Sequence, residues 1–155
     1  WRILEGPPFF SQDRPPWKDN CPYLLLAFQE DVLVGYLSSM SLLDYANLND
    51  WSQERLKELT EDSDVSTWVY LAKFGVDEPF RSKGVGRALL ERFHKDHKSQ
   101  NILLHTLCYV HGTKEVNSSI DYYTRKGYSV SMDKSGSPRT FSKKGRDLII
   151  MTKRC

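Results

Sequence analysis

The chain has 155 residues, 27 % of them charged and 39 % hydrophobic, and 22 Lys+Arg against 20 Asp+Glu leave a net charge of +2. That is enough chain for one domain with a substantial core. The near-neutral balance, with no basic stretch interleaved with aromatics, argues against a nucleic-acid binder, and no apolar run reaches bilayer length.

The longest apolar run lies around Tyr23–Phe28. Cys21, Cys108 and Cys155 are an odd, scattered set that makes neither a disulfide framework nor a Cys-x-x-Cys metal site. They read as free thiols in a reducing compartment, cytoplasmic or nuclear, with Cys108 packed in a core strand. No signal peptide is visible.

Residues 1–22 hold five prolines, which forbid a long helix. They read as a Pro-rich arm anchored by Phe9, Phe10 and Trp17. Residues 23–40 read as two strands around a turn at Gln29–Asp31, an antiparallel hairpin. Residues 41–67 form a long acidic connection. Asp50 with Gln53 has the form of a capping box, which predicts a short helix over Trp51–Leu59. Glu54, Glu58, Glu61, Asp62 and Asp64 make this the acidic part of the chain. Such a cluster is usually a solvated face; its functional reading is attraction of a cationic amine.

Residues 68–76, WVYLAKFGV, predict a strand stopped by Pro79. A helix over 84–98 follows, with Val85, Leu89, Leu90 and Phe93 at helical spacing. Residues 101–109 read as a further strand, so the strand–helix–strand order implies a right-handed crossover between parallel strands. A short helix is expected between Asn117 and Gly127, capped by Asn117 or Ser118 and ended by the glycine. Tyr128–Met132 and Asp147–Thr152 read as final strands. Between them, Asp133–Arg146 reads as a loop with a mobile tip.

The chemistry concentrates at the turn after strand 68–76. Arg81-Ser82-Lys83-Gly84-Val85-Gly86 opens the helix. A helix start offers unpaired N–H groups and a positive dipole end, and glycines let a phosphate approach closely. Arg81, Lys83 and Arg87 add positive charge. The stretch therefore reads as a diphosphate site. It is not the dinucleotide fingerprint, because Leu89 stands where a third glycine would fall, and it is not a P-loop. The bland alternative is a plain turn with solvated arginines.

The string R-x-x-G-x-G at a strand-to-helix junction resembles the coenzyme-A-binding motif of the GNAT superfamily of acyl-CoA-dependent N-acyltransferases. Asn117-x-x-Ile120-x-x-Tyr123-x-x-x-Gly127-Tyr128 resembles a second signature of that family, and the similarity covers about residues 23–154. The resemblance implies a single α/β (α+β) domain over 1–155. Its sheet would be mixed and mostly antiparallel, with a splayed parallel strand pair and helices on both faces. It implies acetyl-CoA as acyl donor. Backbone N–H groups of Ser82, Lys83, Gly84, Val85, Gly86, Arg87 and Ala88 would hold its pyrophosphate. Phe74 and Val76 would pair with its pantetheine arm beside a bulge at Gly75, and Asn117 would hydrogen-bond it. Tyr123 would be the general acid.

Some family members carry a base glutamate on the strand where Tyr70 stands here, which leaves Asp77, Glu78, His105, His111 or a water relay for that role. No metal is implied, and His94 with His97 alone does not make a metal site. The partners implied are acetyl-CoA and an amine acceptor, with no nucleic acid or membrane and a homodimer as one form. The bland readings make Tyr123 a core aromatic and Asn117 a cap. The rival functions are a non-catalytic acyl-CoA sensor and a nucleotide-binding adaptor.

Overall fold

The computed structural model describes residues 2–5, 23–108, 118–143 and 145–155. It divides into two compact units, Trp1–Gln100 and Asn101–Cys155. The Pro-rich arm after residue 5, Cys21, His111 and Asn117 lie outside the described residues.

In the first unit, β1 (Arg2–Glu5), β2 (Tyr23–Gln29), β3 (Val32–Ser41) and β4 (Trp68–Val76) pair in that order, each antiparallel to the next. β1 was not expected, because the prolines drew residues 1–22 into one arm. The β2–β3 hairpin matches the sequence reading and turns at Glu30, whose φ of 55° lies in the left-handed region. Alternation gives the sheet two faces. Leu25, Ala27 and Leu37 are wholly buried on one of them. There they meet α3 (Val85–Asp96), whose buried stripe is Val85, Leu89, Leu90 and Phe93.

The far end of α3 is pinned to β2. The Tyr23 hydroxyl donates to Asp96 at 2.5 Å, and Arg92 Nε donates to the same carboxylate oxygen at 2.9 Å. The Tyr23 ring meets the His97 ring edge-on at 4.7 Å. Burial resists ionisation of Asp96, but the Tyr23 and Arg92 hydrogen bonds outweigh it and hold the carboxyl below its ordinary range.

The connection after β3 is more ordered than its sequence suggested. It holds α1 (Leu42–Leu48) and α2 (Gln53–Leu59). α1 starts at Ser41, whose Oγ accepts from Asp44 N at 3.1 Å. The start of α2 lies later than predicted. Ser52, not Asp50, is its cap and accepts from Arg55 N at 3.1 Å, because Asp50 takes a turn conformation with φ of 54°. Tyr45 of α1 stacks on Tyr70 of β4 with centroids 3.6 Å apart. Tyr70 pairs with Met40 of β3, which by alternation lies on the face opposite α3. Within this unit, helices therefore cover both faces.

The second unit pairs β5 (Asn101–Leu107) antiparallel with β8 (Arg146–Lys153), and β8 also pairs with β6 (Ser129–Val130) and β7 (Thr140–Lys143). Ile102, Leu103, Leu104, Tyr128, Ile150 and Met151 form its core. α4 (Ser119–Arg125) begins after its N-cap Ser118, whose side chain makes no capping bond, while Asn117, the other expected cap, lies outside the described residues. The helix ends as its glycine predicts. Gly127 has φ of 94°, its N–H reaches Thr124 O at 3.1 Å, and Tyr128 N reaches Tyr123 O at 3.0 Å, a Schellman pair.

The loop expected over 133–146 instead contains β7. The Asp133 carboxylate ties its first turn by accepting from Ser135 N and Ser137 N at 2.9 and 3.0 Å. Cys108 lies just past β5 and is half-buried rather than core.

Candidate donor-binding site

β4 is not a regular strand. Ser38 pairs with Lys73 while the next residue, Ser39, pairs with Leu71. Ala72 is therefore the extra residue of a bulge, and the bend expected at Gly75 lies upstream. Gly75 pairs directly with Tyr36 in a regular stretch. Its lack of a side chain has a different cause. A β-carbon there would stand 3.0 Å from Tyr36 Cζ and Oη, so the glycine makes room for the Tyr36 ring across the strand.

Past Val76 the chain passes through a short 3-10 turn at Glu78–Phe80 and enters the turn before α3. Arg81 Nε donates to Val76 O at 2.9 Å and ties the turn back to the strand end. Ser82 takes φ of 61°, a left-handed conformation for a residue with a side chain, and Gly84 follows at 89°. Gly84 is the N-cap of α3 and supplies no side-chain cap. The serine caps of α1 and α2 each accept a backbone N–H. At α3 the first-turn donors have no such side-chain acceptor.

The residues present fit a diphosphate. Among the described residues, a β-carbon at Gly84 would meet nothing within 4 Å, so they leave the space over the helix start open. At Gly86 a β-carbon would stand 3.4 Å from Phe74 Cζ and Val76 Cγ2, so a small residue there lets the first turn of α3 lie against β4. Phe74, Gly75, Val76 and residues 81–88 are thus brought together by one strand–turn–helix.

The basic side chains divide. Arg81 is committed through Nε to the turn. Arg87 pairs with Glu91 at 2.9 Å on the solvent face of α3. Lys83 Nζ lies 5.8 Å from the centre of the Phe80 ring.

Tyr123 stands on α4 in the second unit, its ring edge-on to Tyr122 and Tyr128 at 5.5 Å each. Burial, with a smaller contribution from Tyr122, pushes its phenol up to about 12. On β5, the Thr106 and Ser119 hydroxyls meet at 2.7 Å and join the strand to the start of α4.

Tyr70 is closed off as a base. It is 4 % exposed, and burial, then the neighbouring Tyr45 phenol, raise its pKa far above the ordinary phenol. Among the described residues, no group of three or more His, Cys, Asp and Glu is arranged to hold a metal ion. No helix among them is long and apolar enough to cross a membrane.

A bulged strand running through a tied glycine turn into an uncapped helix, within a mostly antiparallel α/β chain, marks the coenzyme-A-dependent acyltransferase class. The model of the acetyltransferase (GNAT) family matches residues 2–128, and the chain belongs to that family. It is an acetyl-CoA-dependent acyltransferase.

Solved structures share the fold across both units. The protein smu.2055 from Streptococcus mutans UA159 is 24 % identical with a TM-score of 0.61, over 95 % of this chain and 79 % of that one. The ribosomal-protein-S18-alanine N-acetyltransferase from Escherichia coli is 15 % identical with a TM-score of 0.52, over 85 % of this chain and 68 % of that one. PaiA N-acetyltransferase from Thermoplasma acidophilum, solved in complex with coenzyme A, is 14 % identical with a TM-score of 0.52, over 85 % of this chain and 60 % of that one. No curated protein matches the sequence.

Proposed function

We propose that the chain works as a single catalytic domain. It transfers an acetyl group from acetyl-CoA to a primary amine, a small cationic amine or a lysine side chain, by direct attack. The carrying observation is the start of α3, where, among the described residues, Gly84 at φ of 89° leaves open space over helix donors that its own residue does not cap. Backbone N–H groups from Ser82 to Ala88 hold the pyrophosphate there. The backbone of Phe74 and Val76 pairs with the pantetheine arm as an added strand would. Asn117 adds a hydrogen bond to the donor.

The chemistry forms an N–C bond and breaks the C–S bond of the thioester. An alkylammonium, with pKa about 10, must lose a proton first. Asp77, Glu78, His105, His111 or a water relay takes it. A strand N–H near Val76 donates to the carbonyl oxygen as it gains charge. Tyr123 keeps its proton at neutral pH and donates a hydrogen bond to the sulfur, which leaves as the thiolate of CoA while the second proton of the attacking nitrogen passes to solvent. The enzyme acts in the cytoplasm, and a homodimer is one form it takes.

A non-catalytic acyl-CoA sensor is the second reading. Its support is Tyr70, buried and stacked where some relatives place a carboxylate.

Thermal-shift binding with acetyl-CoA, CoA, ATP and NAD separates donor classes, since a ligand of the native state raises the melting temperature. A shift with acetyl-CoA and CoA alone is expected. Acetylated product under excess amine then distinguishes enzyme from sensor. Shifts with ATP or NAD alone would overturn the reading.

A further inference from the structure

We infer that Tyr36 and Lys73 line the acceptor side of β4, and that together they select a lysine side chain with acidic neighbours over a polyamine. This rests on the donor placement proposed above and names the acceptor within it.

The two faces of β4 differ in what they leave free. Phe74 and Val76 point towards the first turn of α3, since both lie 3.4 Å from a β-carbon at Gly86. On that face the first turn of α3 lies against Phe74 and Val76, which stay half-buried. A β-carbon at Gly35 would stand 3.1 Å from Leu89 Cδ1 and Val85 Cγ1, and Leu89 and Phe93 are wholly buried. The helix start on that face is also where the donor's pyrophosphate is placed.

An amine must therefore reach the reacting carbonyl from the other face. Alternation puts Lys73 and Gly75 there. Gly75 has no side chain, and the Tyr36 ring leans across it, so the phenol oxygen is held over the middle of the 74–76 segment. Tyr36 is 42 % exposed, and Lys73 is exposed as well. Lys73 pairs with Ser38, two residues along β3 from Tyr36, so the two side chains are diagonal neighbours.

A ring covering a strand glycine needs no hydroxyl, and phenylalanine would cover it equally well. A hydroxyl exposed beside the donor-pairing segment is placed to accept a hydrogen bond from an amine. The ring face suits the apolar stem and cationic head of a lysine.

Charge then decides between acceptors. The Lys73 ammonium repels a molecule that is cationic along its whole length. It favours an amine whose neighbours are carboxylates. Arg2 of β1 lies 3.9 Å from Asp31, both largely exposed, and Arg55 of α2 packs over the Trp51 ring. The acidic side chains of α2, Glu54 and Glu58, stand on a different element and do not flank Lys73 in the sheet.

The test compares three acceptors: a blocked peptide with one lysine between aspartates, the same peptide with arginines, and spermidine. The wild-type enzyme should acetylate the acidic peptide with kcat/KM at least tenfold above the other two. Lys73→Glu should reduce that preference at least tenfold. Tyr36→Phe should raise KM for the acidic peptide severalfold with little change in kcat. Calorimetric affinity for acetyl-CoA should stay within about twofold in both variants.

A wild-type preference for spermidine would overturn the proposal. So would an unchanged preference in Lys73→Glu, or acetyl-CoA binding without acetylation of either peptide. Loss of acetyl-CoA binding by the wild-type chain would instead remove the donor reading, and this proposal with it.

Discussion

Arg81 Nε donates to the carbonyl of Val76 at 2.9 Å, so the first basic residue of the glycine turn is a brace as well as a charge. It fixes the end of β4 against the loop that precedes α3. Arg87, by contrast, spends its guanidinium on Glu91 with both side chains largely exposed, an arrangement of little energetic weight. The two arginines should therefore behave differently. Arg81→Ala should weaken CoA binding about tenfold or more, the equivalent of about 1.4 kcal/mol. Arg87→Ala should change it less than threefold. Isothermal titration with CoA checks both; equal effects would mean that the arginines act only as summed charge.

Gly84 is the position where backbone and ligand demands coincide. Its φ of 89° is left-handed, which costs a residue with a β-carbon about 1–2 kcal/mol. Among the described residues, its chain neighbours aside, nothing stands within 4 Å of that β-carbon, so none of them adds a clash to the cost. Gly84→Val should lower the melting temperature by only several degrees. It should nevertheless abolish CoA binding, because the side chain would project where the pyrophosphate is placed. Melting curves and CoA titration on one sample separate the effects. A folded variant that binds CoA normally would displace the pyrophosphate from this turn.

The features written locally were legible. The β4 strand, the glycine turn and α3 can be read because turn glycines, Pro79 and the apolar spacing of Val85, Leu89 and Phe93 are short-range signals. The bulge could not be read, because register is a property of two strands and Ala72 is an ordinary strand residue. Gly75 drew that reading instead, since a strand glycine marks either a bulge or the close approach of another group. Here it is the ring of Tyr36. The helix α1 had a readable start in Ser41-x-x-Asp44, but the nearby Asp50–Gln53 pattern attracted the cap assignment. β7 lies in a glycine-, serine- and lysine-rich stretch and exists only through pairing with β8, which no local pattern announces. Tyr123 stands among the candidates through the family resemblance alone, and the Schellman bonds of Gly127 and Tyr128 account structurally for its spacing from the glycine.

Tyr123 offers the sharpest test of the chemistry. Burial raises its phenol from 10.0 to about 12, whereas an ordinary thiol sits near ~8.5. Outright proton transfer from this phenol to a thiolate is thus uphill by several pKa units. In the proposed role it contributes a hydrogen bond to sulfur as charge develops, and Tyr123→Phe should then lower kcat about 10- to 100-fold with acetyl-CoA affinity nearly unchanged. The pH profile follows with a definite sign. A raised pKa keeps the group protonated and its donor function intact below its unfolded value near 10.0, with loss only as pH climbs towards about 12. The rate should therefore rise with pH as the amine deprotonates, with no falling limb from Tyr123 below pH ~10. The same shift makes neutral Tyr123 a stabilising group whose contribution fades over that alkaline window. Steady-state rates from neutral to pH ~10, alongside melting temperatures, check both expectations. A falling limb near neutrality that disappears in Tyr123→Phe would show the phenol titrating far below its buried value, and would refute the hydrogen-bonding role in this form.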